Sequence, residues 1–366
     1  MKPTIWIFSI EPLDTRYTAQ WHKYLPAMFE KELDNKYNIV QVDGTQKNTI
    51  PTPGAFLNFS DTNYWKSSQL CNFLEHHNRG ETSTDDHILF TDAWNPTVIQ
   101  LKYMKDLLGY NWKLHGLFHA GSWDGQDFLG RLIGDAPWVR HAEKSFFHAI
   151  DYNYFATEFH IELFDKNLLS LGECGERYNT SLTKFGKIFR TGWPMEYMEQ
   201  TLAPYKGMKK RDLILFPHRL APEKQLDIFK DLQQQLPQYE FVVCQEQQLT
   251  KNEYHNLLGE AKIVFSANLQ ETLGISTCSE GPLVDAIPLV PNRLSYSEIF
   301  KNHSNFLYPS EWTKDFVHYE KNKSKLIEKI VNFMVNYKEI VPEVRNYIQS
   351  DYRKYFTAVE LLQNIN

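Results

Sequence analysis

The sequence lacks the cysteine pattern of a metal-binding or disulfide-bonded protein. Its four cysteines, Cys71, Cys174, Cys244 and Cys278, are scattered, and no two have the short spacing of a zinc or redox motif. We therefore expect reduced thiols in a cytoplasmic protein that holds no metal.

Long hydrophobic runs are absent as well. No stretch approaches the roughly 18 apolar residues that a membrane-spanning helix needs, and the apolar start at residues 5–10 is too short for a signal peptide. With 42% hydrophobic and 23% charged residues, the composition is that of an ordinary globular protein. We therefore expect no membrane span.

Neither half of the chain has an excess of positive charge. The net charge is −6, with 19 Lys and Arg against 23 Asp and Glu up to Gly192 and 20 against 22 after it. A nucleic-acid partner would therefore need a local basic patch. The length of 366 residues exceeds one comfortable core and predicts two domains.

Strands and helices alternate along the whole chain, which predicts parallel sheets in an α/β protein. The sequence predicts first-domain strands at 4–9, 38–42, 87–91, 113–118, 152–157 and 187–191. Second-domain strands are predicted at 212–216, 239–243, 261–265 and 287–290. Between the two sets, Gly192, Trp193 and Pro194 mark the crossing from one domain to the next.

The most informative stretch follows the predicted strand at 261–265. Glu271, Thr272, Leu273 and Gly274 come first, and a segment with helical spacing, 275–286, follows. Free amides at a helix start attract phosphate, and a nearby carboxylate can accept hydrogen bonds from sugar hydroxyl groups. The pattern favours a nucleotide-sugar site, although many loops of this kind in parallel α/β proteins bind no ligand.

A second stretch carries two cations. The predicted strand at 212–216 leads into His218, Arg219 and Lys224 before an amphipathic segment begins. Arginine offers a bidentate fork and lysine a point charge, a combination suited to a diphosphate. The alternative interpretation is a solvated helix start.

Together the two stretches resemble the donor half of retaining glycosyltransferases with the GT-B fold, the group related to sucrose, glycogen and mannosyl transferases. The resemblance implies that Arg219 and Lys224 hold the diphosphate of a UDP-sugar and that Glu271 contacts the sugar. It implies supporting donor contacts for a further set of residues, which are His218, Thr272, Leu273, Gly274 and Glu280. No metal or other cofactor is implied, because the two cations neutralise the leaving diphosphate.

The spacing of the two glutamates departs from the family pattern. Eight residues separate Glu271 from Glu280, whereas the pattern has seven. Either the helix start carries one extra residue or Ser279 takes the place of the second glutamate, whose usual partner is the ribose.

The resemblance also implies an architecture. Two Rossmann-like parallel-sheet domains would face a cleft, with the acceptor side in 1–192 and the nucleotide-sugar side in 193–340. A C-terminal helix, within 341–366, would cross back to the first domain.

Three loops of the first domain carry candidate acceptor residues, because ligands of open α/β sheets bind beyond the carboxyl ends of the strands. The candidates are Arg16, Tyr17, Trp21, Asp92, Trp94, Trp123 and Asp124. The alternatives are that Tyr17 and Trp21 fill the domain interface and that Asp92 caps a helix. By its position after the fourth strand, His119 matches a histidine that reaches the donor sugar in the family.

Segments 10–21, 91–96 and 119–124 resemble glycosyltransferases of tailed phages, including those that add glucose or arabinose to 5-hydroxymethylcytosine in DNA. The resemblance implies transfer with retention onto a DNA base in the host cytoplasm. The base would flip out of the duplex and stack on aromatic side chains.

Other functions stay open. A lipid-linked or surface glycan as acceptor would favour an exposed basic and apolar face on the first domain. A UDP-sugar epimerase on the same fold would need no acceptor. A module that only binds glycan or DNA would leave the diphosphate residues without a role.

Overall fold

A computed structural model of the chain describes residues 2–13, 16–47, 58–134, 136–169 and 187–365. The chain forms two compact units. The first comprises Met1–Ala156, His160–Pro194 and Ala358–Asn366, and the second comprises Thr157–Phe159 and Met195–Thr357.

The first unit is built on a six-stranded sheet in which all neighbouring strands are parallel. The strand order is β2-β1-β3-β4-β5-β6. The strands are β1 (Thr4–Phe8), β2 (Asn38–Val42), β3 (His87–Phe90), β4 (Lys113–Phe118), β5 (Tyr152–Phe155) and β6 (Ile188–Arg190). Each begins or ends within one or two residues of its predicted position. For the central strands β1, β3 and β4 this follows from their largely buried apolar runs.

Helices connect these strands. They are α1 (Tyr17–Glu32), α2 (Phe59–Asn78), α3 (Thr97–Leu108), α4 (Phe128–Ile133), α5 (Pro137–Ala149) and α6 (Glu158–Phe164), which continues into a π-helical turn, Asp165–Leu169. Right-handed crossovers place α1 on one face of the sheet and α2, α3 and α5 on the other, because the chain moves in opposite directions across the sheet after β1 and after β2.

The core of the first unit is rich in aromatic side chains. Trp6 on β1 packs edge-on against Phe73 of α2, with ring centres 5.3 Å apart. Asp86 is fully buried beside them, because it accepts hydrogen bonds from the Trp6 indole and the Thr4 amide, both at 2.8 Å. The high aromatic content of the sequence is thus used at least partly in the core.

The second unit has a five-stranded parallel sheet in the order β11-β10-β9-β7-β8. Its strands are β7 (Leu213–Phe216), β8 (Glu240–Val243), β9 (Ile263–Phe265), β10 (Ile287–Pro291) and β11 (Leu307–Tyr308). Its helices are α7 (Tyr197–Leu202), α8 (Leu226–Gln235), α9 (Lys251–Glu260), a π-helical turn (Ile275–Glu280) that runs into α10 (Gly281–Leu283), α11 (Leu294–Ile299), α12 (Phe316–Val335) and α13 (Tyr337–Ser350).

The predicted helix over 275–286 differs from the observed one in two ways. It begins as a π-helix, and it ends at Leu283, because Asp285 adopts a left-handed conformation with φ of 64°. The chain turns there so that β10 can join the sheet beside β9.

The C-terminal segment 341–366 is divided between the units. Val341, Val344 and Tyr347 of α13 are buried in the second unit, where the Tyr347 hydroxyl donates to the Cys278 carbonyl at 2.8 Å. The last helix, α14 (Val359–Ile365), groups with the first unit. There Glu360 pairs with Arg190.

Three of the four cysteines lie in the described residues and are free thiols, and Cys174 lies outside them. Within the described ranges, no three His, Cys, Asp or Glu side chains converge in a way that could hold a metal ion. Nor does that part of the chain contain a helix with the length and apolar character needed to cross a membrane.

Candidate functional site

The loop after β7 brings one predicted cation against a buried carboxylate. Arg219 donates from Nε and Nη2 to Glu223 Oε1, at 3.0 and 2.5 Å. The Glu223 side chain is completely buried, whereas that of Arg219 is 29% exposed. The carboxylate thus orients one edge of the guanidinium group. The sequence did not predict the role of Glu223. Its partner Arg219 lies four residues earlier, and residues at that spacing are expected to meet only in a helix, which the pattern of this segment does not indicate.

Lys224 lies deeper than the sequence indicates. It ends a short 3-10 turn, Pro222–Lys224, and its Nζ donates to the Gln270 carbonyl at 2.7 Å. The same atom lies 3.5 Å from Glu271 Oε2. The two predicted donor stretches therefore meet, as parallel strands with a common carboxyl edge require.

Glu271 is held by a set of donors besides Lys224. The Gly274 amide donates to Oε1 at 3.0 Å, and Asn268 Nδ2 donates to Oε2 at 3.2 Å. A carboxylate has about four acceptor positions, so the three contacts leave capacity for a ligand hydroxyl. The Gly274 amide, expected at a phosphate, is occupied by the carboxylate instead.

Burial and charge act against each other in this group. Burial alone would raise the pKa of Glu271, but the Lys224 charge, helped by the hydrogen bond from the Gly274 amide, takes it below its usual value. Burial lowers the pKa of Lys224, and the Glu271 charge opposes this. The two residues therefore sustain each other's ionised forms.

His218 is a neutral structural donor in this arrangement. Burial and the Lys224 charge lower its pKa to about 3. Its Nε2 faces the Phe265 carbonyl at 3.1 Å and so carries the proton, while Nδ1 accepts from Asn268 Nδ2 at 3.4 Å. The imidazole thus fixes Asn268, which in turn bonds Glu271.

Glu280 is the last residue of the π-helical turn Ile275–Glu280. A π-helix accommodates one more residue per turn than an α-helix in the same space, which accounts for eight residues between Glu271 and Glu280 in place of seven. Glu280 is buried and accepts from Lys251 Nζ at 3.2 Å and the Tyr254 hydroxyl at 2.7 Å. The extra residue therefore lies in the helix start.

Ser279, the alternative position for the second glutamate, points elsewhere. Its hydroxyl is bonded to that of Tyr352 at 2.9 Å, and both side chains are buried. Thr272 and Leu273 are buried too, and the Thr272 carbonyl accepts from the Thr157 hydroxyl.

Two residues that sequence reasoning missed stabilise the loop after β9, which leads to Glu271. The Tyr296 hydroxyl is 3.0 Å from Ser266 Oγ and accepts from Asn268 Nδ2 at 3.1 Å. Arg293 donates to the carbonyls of Ala267 and Asn268 at 2.6 and 2.8 Å. Both follow β10 in a segment with no local motif, so only the proximity of β10 to β9 reveals them.

In the first unit, His119 lies among aromatic side chains. Its Nε2 donates to the Thr91 carbonyl and its Nδ1 accepts from the Tyr17 hydroxyl, both at 2.6 Å. Its ring centre is 4.4 Å from that of Trp193, and burial lowers its pKa. Both ring nitrogens are thus committed, and a contact with a sugar would have to displace one of these bonds.

Asp92 and Trp94 lie at the end of β3 with a buried lysine between them. Lys66 Nζ donates to Asp92 Oδ2 at 3.3 Å and to the Trp94 carbonyl at 2.5 Å. Asp92 Oδ1 also accepts from the Trp94 amide, so it caps the turn. Nearby, Glu11 is buried, and burial and the charge of Asp61 raise its pKa.

Glu143 of α5 joins two of the candidate loops. It accepts from the Trp94 indole at 2.9 Å, from the Ser122 amide at 2.7 Å and from the Ser122 hydroxyl at 2.5 Å. Burial raises its pKa against these bonds. Sequence reasoning missed it, since a single glutamate in an amphipathic helix carries no signal.

Several predicted acceptor residues do not present a ligand-binding surface. Trp21 is 1% exposed beside Tyr17 and Trp193, and Trp123 is 2% exposed in the core against Phe164. Their rings stabilise the unit and have no face available for a base, which corrects the stacking role predicted for them.

The remaining two candidates have local roles. Asp124 is buried and accepts from the Gln126 amide at 2.9 Å, which closes a turn. Arg16 precedes α1, with its guanidinium carbon 5.6 Å from the ring centre of Tyr17. Of the acceptor set, Arg16, Tyr17, Asp92 and Trp94 remain partly accessible.

The two parallel-sheet units define the GT-B fold of glycosyltransferases, as predicted. Sucrose-phosphate synthase from Thermosynechococcus elongatus is similar over 99% of this chain and 98% of its own, with a TM-score of 0.65 and 11% identity. HepE from Anabaena, solved with UDP and glucose, matches over 100% and 98%, at a TM-score of 0.56 and 12% identity. A glycosyltransferase from Rickettsia africae matches over 100% and 97%, at 0.51 and 14%.

Sequence comparison adds no closer relation. No family model matches the chain, and no curated protein matches it significantly. At these identities the structural likeness establishes the fold and leaves activity to the chemistry of the sites.

Proposed function

We propose that the protein is a glycosyltransferase that moves a sugar from a UDP-sugar to a hydroxyl acceptor with retention. The observation that carries the proposal is the ion pair of buried Lys224 with Glu271, whose side chain stays 21% exposed, beside Arg219 at the carboxyl edge of the second sheet. The fold similarity to a protein solved with UDP and glucose supports a UDP-sugar as donor.

Each residue of the group has a distinct task. Arg219 and Lys224 donate to the diphosphate oxygens, and stabilisation of that departing charge is the largest contribution the protein makes. Glu271 accepts a hydrogen bond from a sugar hydroxyl, and Glu280 takes the ribose. Glu223 and Asn268 keep Arg219 and Glu271 in position.

The transfer step is a front-face substitution. The acceptor oxygen forms a bond to the anomeric carbon while the bond from that carbon to the diphosphate oxygen breaks. The acceptor proton passes to the leaving diphosphate, so no protein base is consumed. His119 is proposed to contact the sugar once its bond to Tyr17 has been displaced.

For the acceptor we propose 5-hydroxymethylcytosine in DNA, with arabinose or glucose as the sugar. The support is the resemblance of segments 10–21, 91–96 and 119–124 to the phage enzymes. Trp94 and Tyr17 are the aromatic residues of these segments that remain partly accessible to a flipped base.

A second candidate is a lipid-linked or surface glycan. It is favoured by one observation: Ile99, Tyr103 and Leu107 form a stripe at helical spacing on α3, and Tyr103 and Leu107 are each 68% exposed. Exposed apolar stripes of this kind mark interaction surfaces.

The decisive experiment is mass spectrometry of nucleosides from hydroxymethylcytosine DNA that has been incubated with the protein and UDP-pentoses or UDP-hexoses. A pentose or hexose mass on the modified nucleoside is the expected result. Consumption of UDP-sugar without an added mass would indicate an epimerase or hydrolase. If no mass is added and no UDP-sugar is consumed, both the donor and the acceptor assignments are refuted.

A further inference from the structure

Helix α5 has two chemically different faces. Val139, Phe146 and Phe147 are buried against the first sheet, and Glu143, the only acidic residue of the helix, is buried with them. The outward stripe follows helical spacing and is exposed: it consists of Trp138, His141, Ser145 and His148. The outer face therefore carries no carboxylate of its own helix.

Positive charge gathers at the C-terminal end of this face. Lys187, which precedes β6, donates from Nζ to the His148 carbonyl at 3.2 Å. Lys144 lies one helical turn before His148 on α5, and partial burial together with the charges of Lys187 and Lys144 lowers the pKa of His148. Among the described residues, no ion pair joins either lysine to a carboxylate.

Asp151, the acidic residue that follows α5, is already bound. Asp151 accepts from Lys105 Nζ at 2.7 Å and from the Leu114 amide at 2.9 Å. At the other side, Arg140 donates to the Asn167 carbonyl and adds a further cation to α5. On a chain with a net charge of −6, Lys144 and Lys187 thus form a small local cluster of positive charge, the kind of feature that a nucleic-acid partner would use.

We propose that the outer face of α5, with Lys144, Lys187 and His148 at its centre, docks the phosphate backbone of the acceptor duplex. The inference rests on the proposed function, because it takes DNA as the acceptor. Lysines bind phosphates irrespective of sequence and release counterions, which makes the affinity depend on salt. Trp138, 59% exposed at the start of the helix, offers a ring to a sugar or an unpaired base.

The inner face of α5 connects the proposed docking surface to the candidate acceptor loops. Glu143 binds the Trp94 indole and both the amide and the hydroxyl of Ser122, so α5 is tied to the loops after β3 and β4. A duplex held on the outer face is thereby held at a fixed distance from those loops, because one rigid helix carries both sets of contacts.

A lipid surface is the competing partner. The stripe of Tyr103 and Leu107 on the neighbouring helix α3 would suit it, but an interfacial helix needs a continuous apolar face. The outer face of α5 has a single large apolar side chain, Trp138, among basic and polar ones. The charge pattern on α5 therefore favours a phosphate backbone.

The test is the salt dependence of binding between the full chain and a short labelled hydroxymethylcytosine duplex, measured by fluorescence anisotropy from about 50 to about 200 mM salt. In Lys144→Gln/Lys187→Gln, the slope of log affinity against log salt should fall by about two phosphate contacts. The matched control, Lys23→Gln/Lys31→Gln on α1 at the other face of the sheet, should retain the wild-type slope.

Transfer to the free nucleoside 5-hydroxymethyl-2′-deoxycytidine should be unchanged in both double variants. Equal slopes in the α5 variant and the wild type, or no binding of the duplex by the wild type, would overturn the proposal. It would also be overturned if the α5 lysines governed binding to phosphatidylglycerol vesicles and not to the duplex. Duplex binding with the expected slopes but without sugar transfer would support the surface and refute the proposed function.

Discussion

The ammonium group of buried Lys224 lies 3.5 Å from the Oε2 atom of Glu271, whose side chain is partly exposed. The pair joins the loop after β7 to the loop after β9. Burial makes each charge depend on the other, and Arg219 is aligned beside them by the buried Glu223. The donor assignment therefore depends on a small, tightly connected set of charges.

Removal of a group that contacts the donor should abolish transfer without unfolding the protein. We expect Arg219→Ala and Glu271→Ala each to lower turnover of the UDP-sugar by about a hundredfold or more, as measured by UDP release. Arg211→Ala is the control, because Arg211 is exposed and forms its ion pairs with Glu240 and Glu260. Wild-type turnover in a folded donor-site variant would remove this assignment.

Gly274 is required for two reasons that can be separated. Its φ is +76°, and a Cβ would lie 2.9 Å from Tyr296 and 3.0 Å from Cys278 and Thr277. Gly207 has φ of +79° but nothing within 4 Å. We expect Gly207→Ala to lower the free energy of unfolding by about 1 kcal/mol, and Gly274→Ala to lower it by about 3 kcal/mol, as measured by urea titration. Equal losses would show that the packing contributes nothing.

The π-helical turn should tolerate the loss of one residue. Deletion of Ser276 leaves seven residues between Glu271 and Glu280, which an α-helical start can span. We expect the deletion variant to fold and to keep UDP-sugar turnover within about tenfold of the wild type. Deletion of Lys230 from the regular helix α8 is the control, since it displaces the buried residues Ile228 and Leu232 and should unfold the unit. Equal damage from both deletions would contradict the role of the extra residue.

Glu143 should be needed for the order of two loops. In Glu143→Leu, the Trp94 indole and the amide and hydroxyl of Ser122 lose their acceptor, and we expect a loss of about 3 kcal/mol in the free energy of unfolding. Tryptophan fluorescence and acceptor KM should change while donor KM stays constant. The control is Ser145→Ala on the exposed side of the same helix. A change in donor KM alone would contradict a role for Glu143 in ordering the acceptor loops.

Acid should destabilise the second unit through His218. Its pKa is about 3 in the folded protein and about 6.5 in an unfolded chain, so the unfolded state binds more protons between these values. Stability therefore falls as pH decreases below about 6.5, by about 2 kcal/mol at pH 5. We expect His218→Asn to lose that part of the decline in urea titrations at pH 5 and 7, whereas exposed His141→Asn keeps it. An unchanged decline in His218→Asn would rule out this origin.

The positions of all the strands except β11 (Leu307–Tyr308), and with them the α/β class, could be predicted because most strands are local signals. The two-residue β11 is too short to give such a signal, and the order of the strands within each sheet was not predicted. Val264 and Phe265, for example, belong to an apolar run bounded by polar residues, and that pattern needs no knowledge of the neighbouring strand. The positions of Arg219, Lys224 and Glu271 follow from the same logic, since loops at the carboxyl ends of parallel strands share one edge of the sheet.

Exposure of the aromatic residues could not be predicted in the same way. Trp21 and Trp123 follow strands in the order expected of ligand-binding residues, yet both are buried. Aromatic residues have the same sequence signal in a core as in a binding loop. Only the distant partners Trp193 and Phe164 decide between these environments.

The sequence by itself determined the two parallel sheets, their order along the chain and the residue types at each loop, because periodicity and composition are local properties. The tertiary structure alone decided which side chains meet. Glu143 reaches Trp94, Arg293 holds the Ala267 carbonyl, and a π-helical turn brings Glu280 to Tyr254. Such contacts depend on how strands and helices pack across long separations, and no short pattern of residues encodes them.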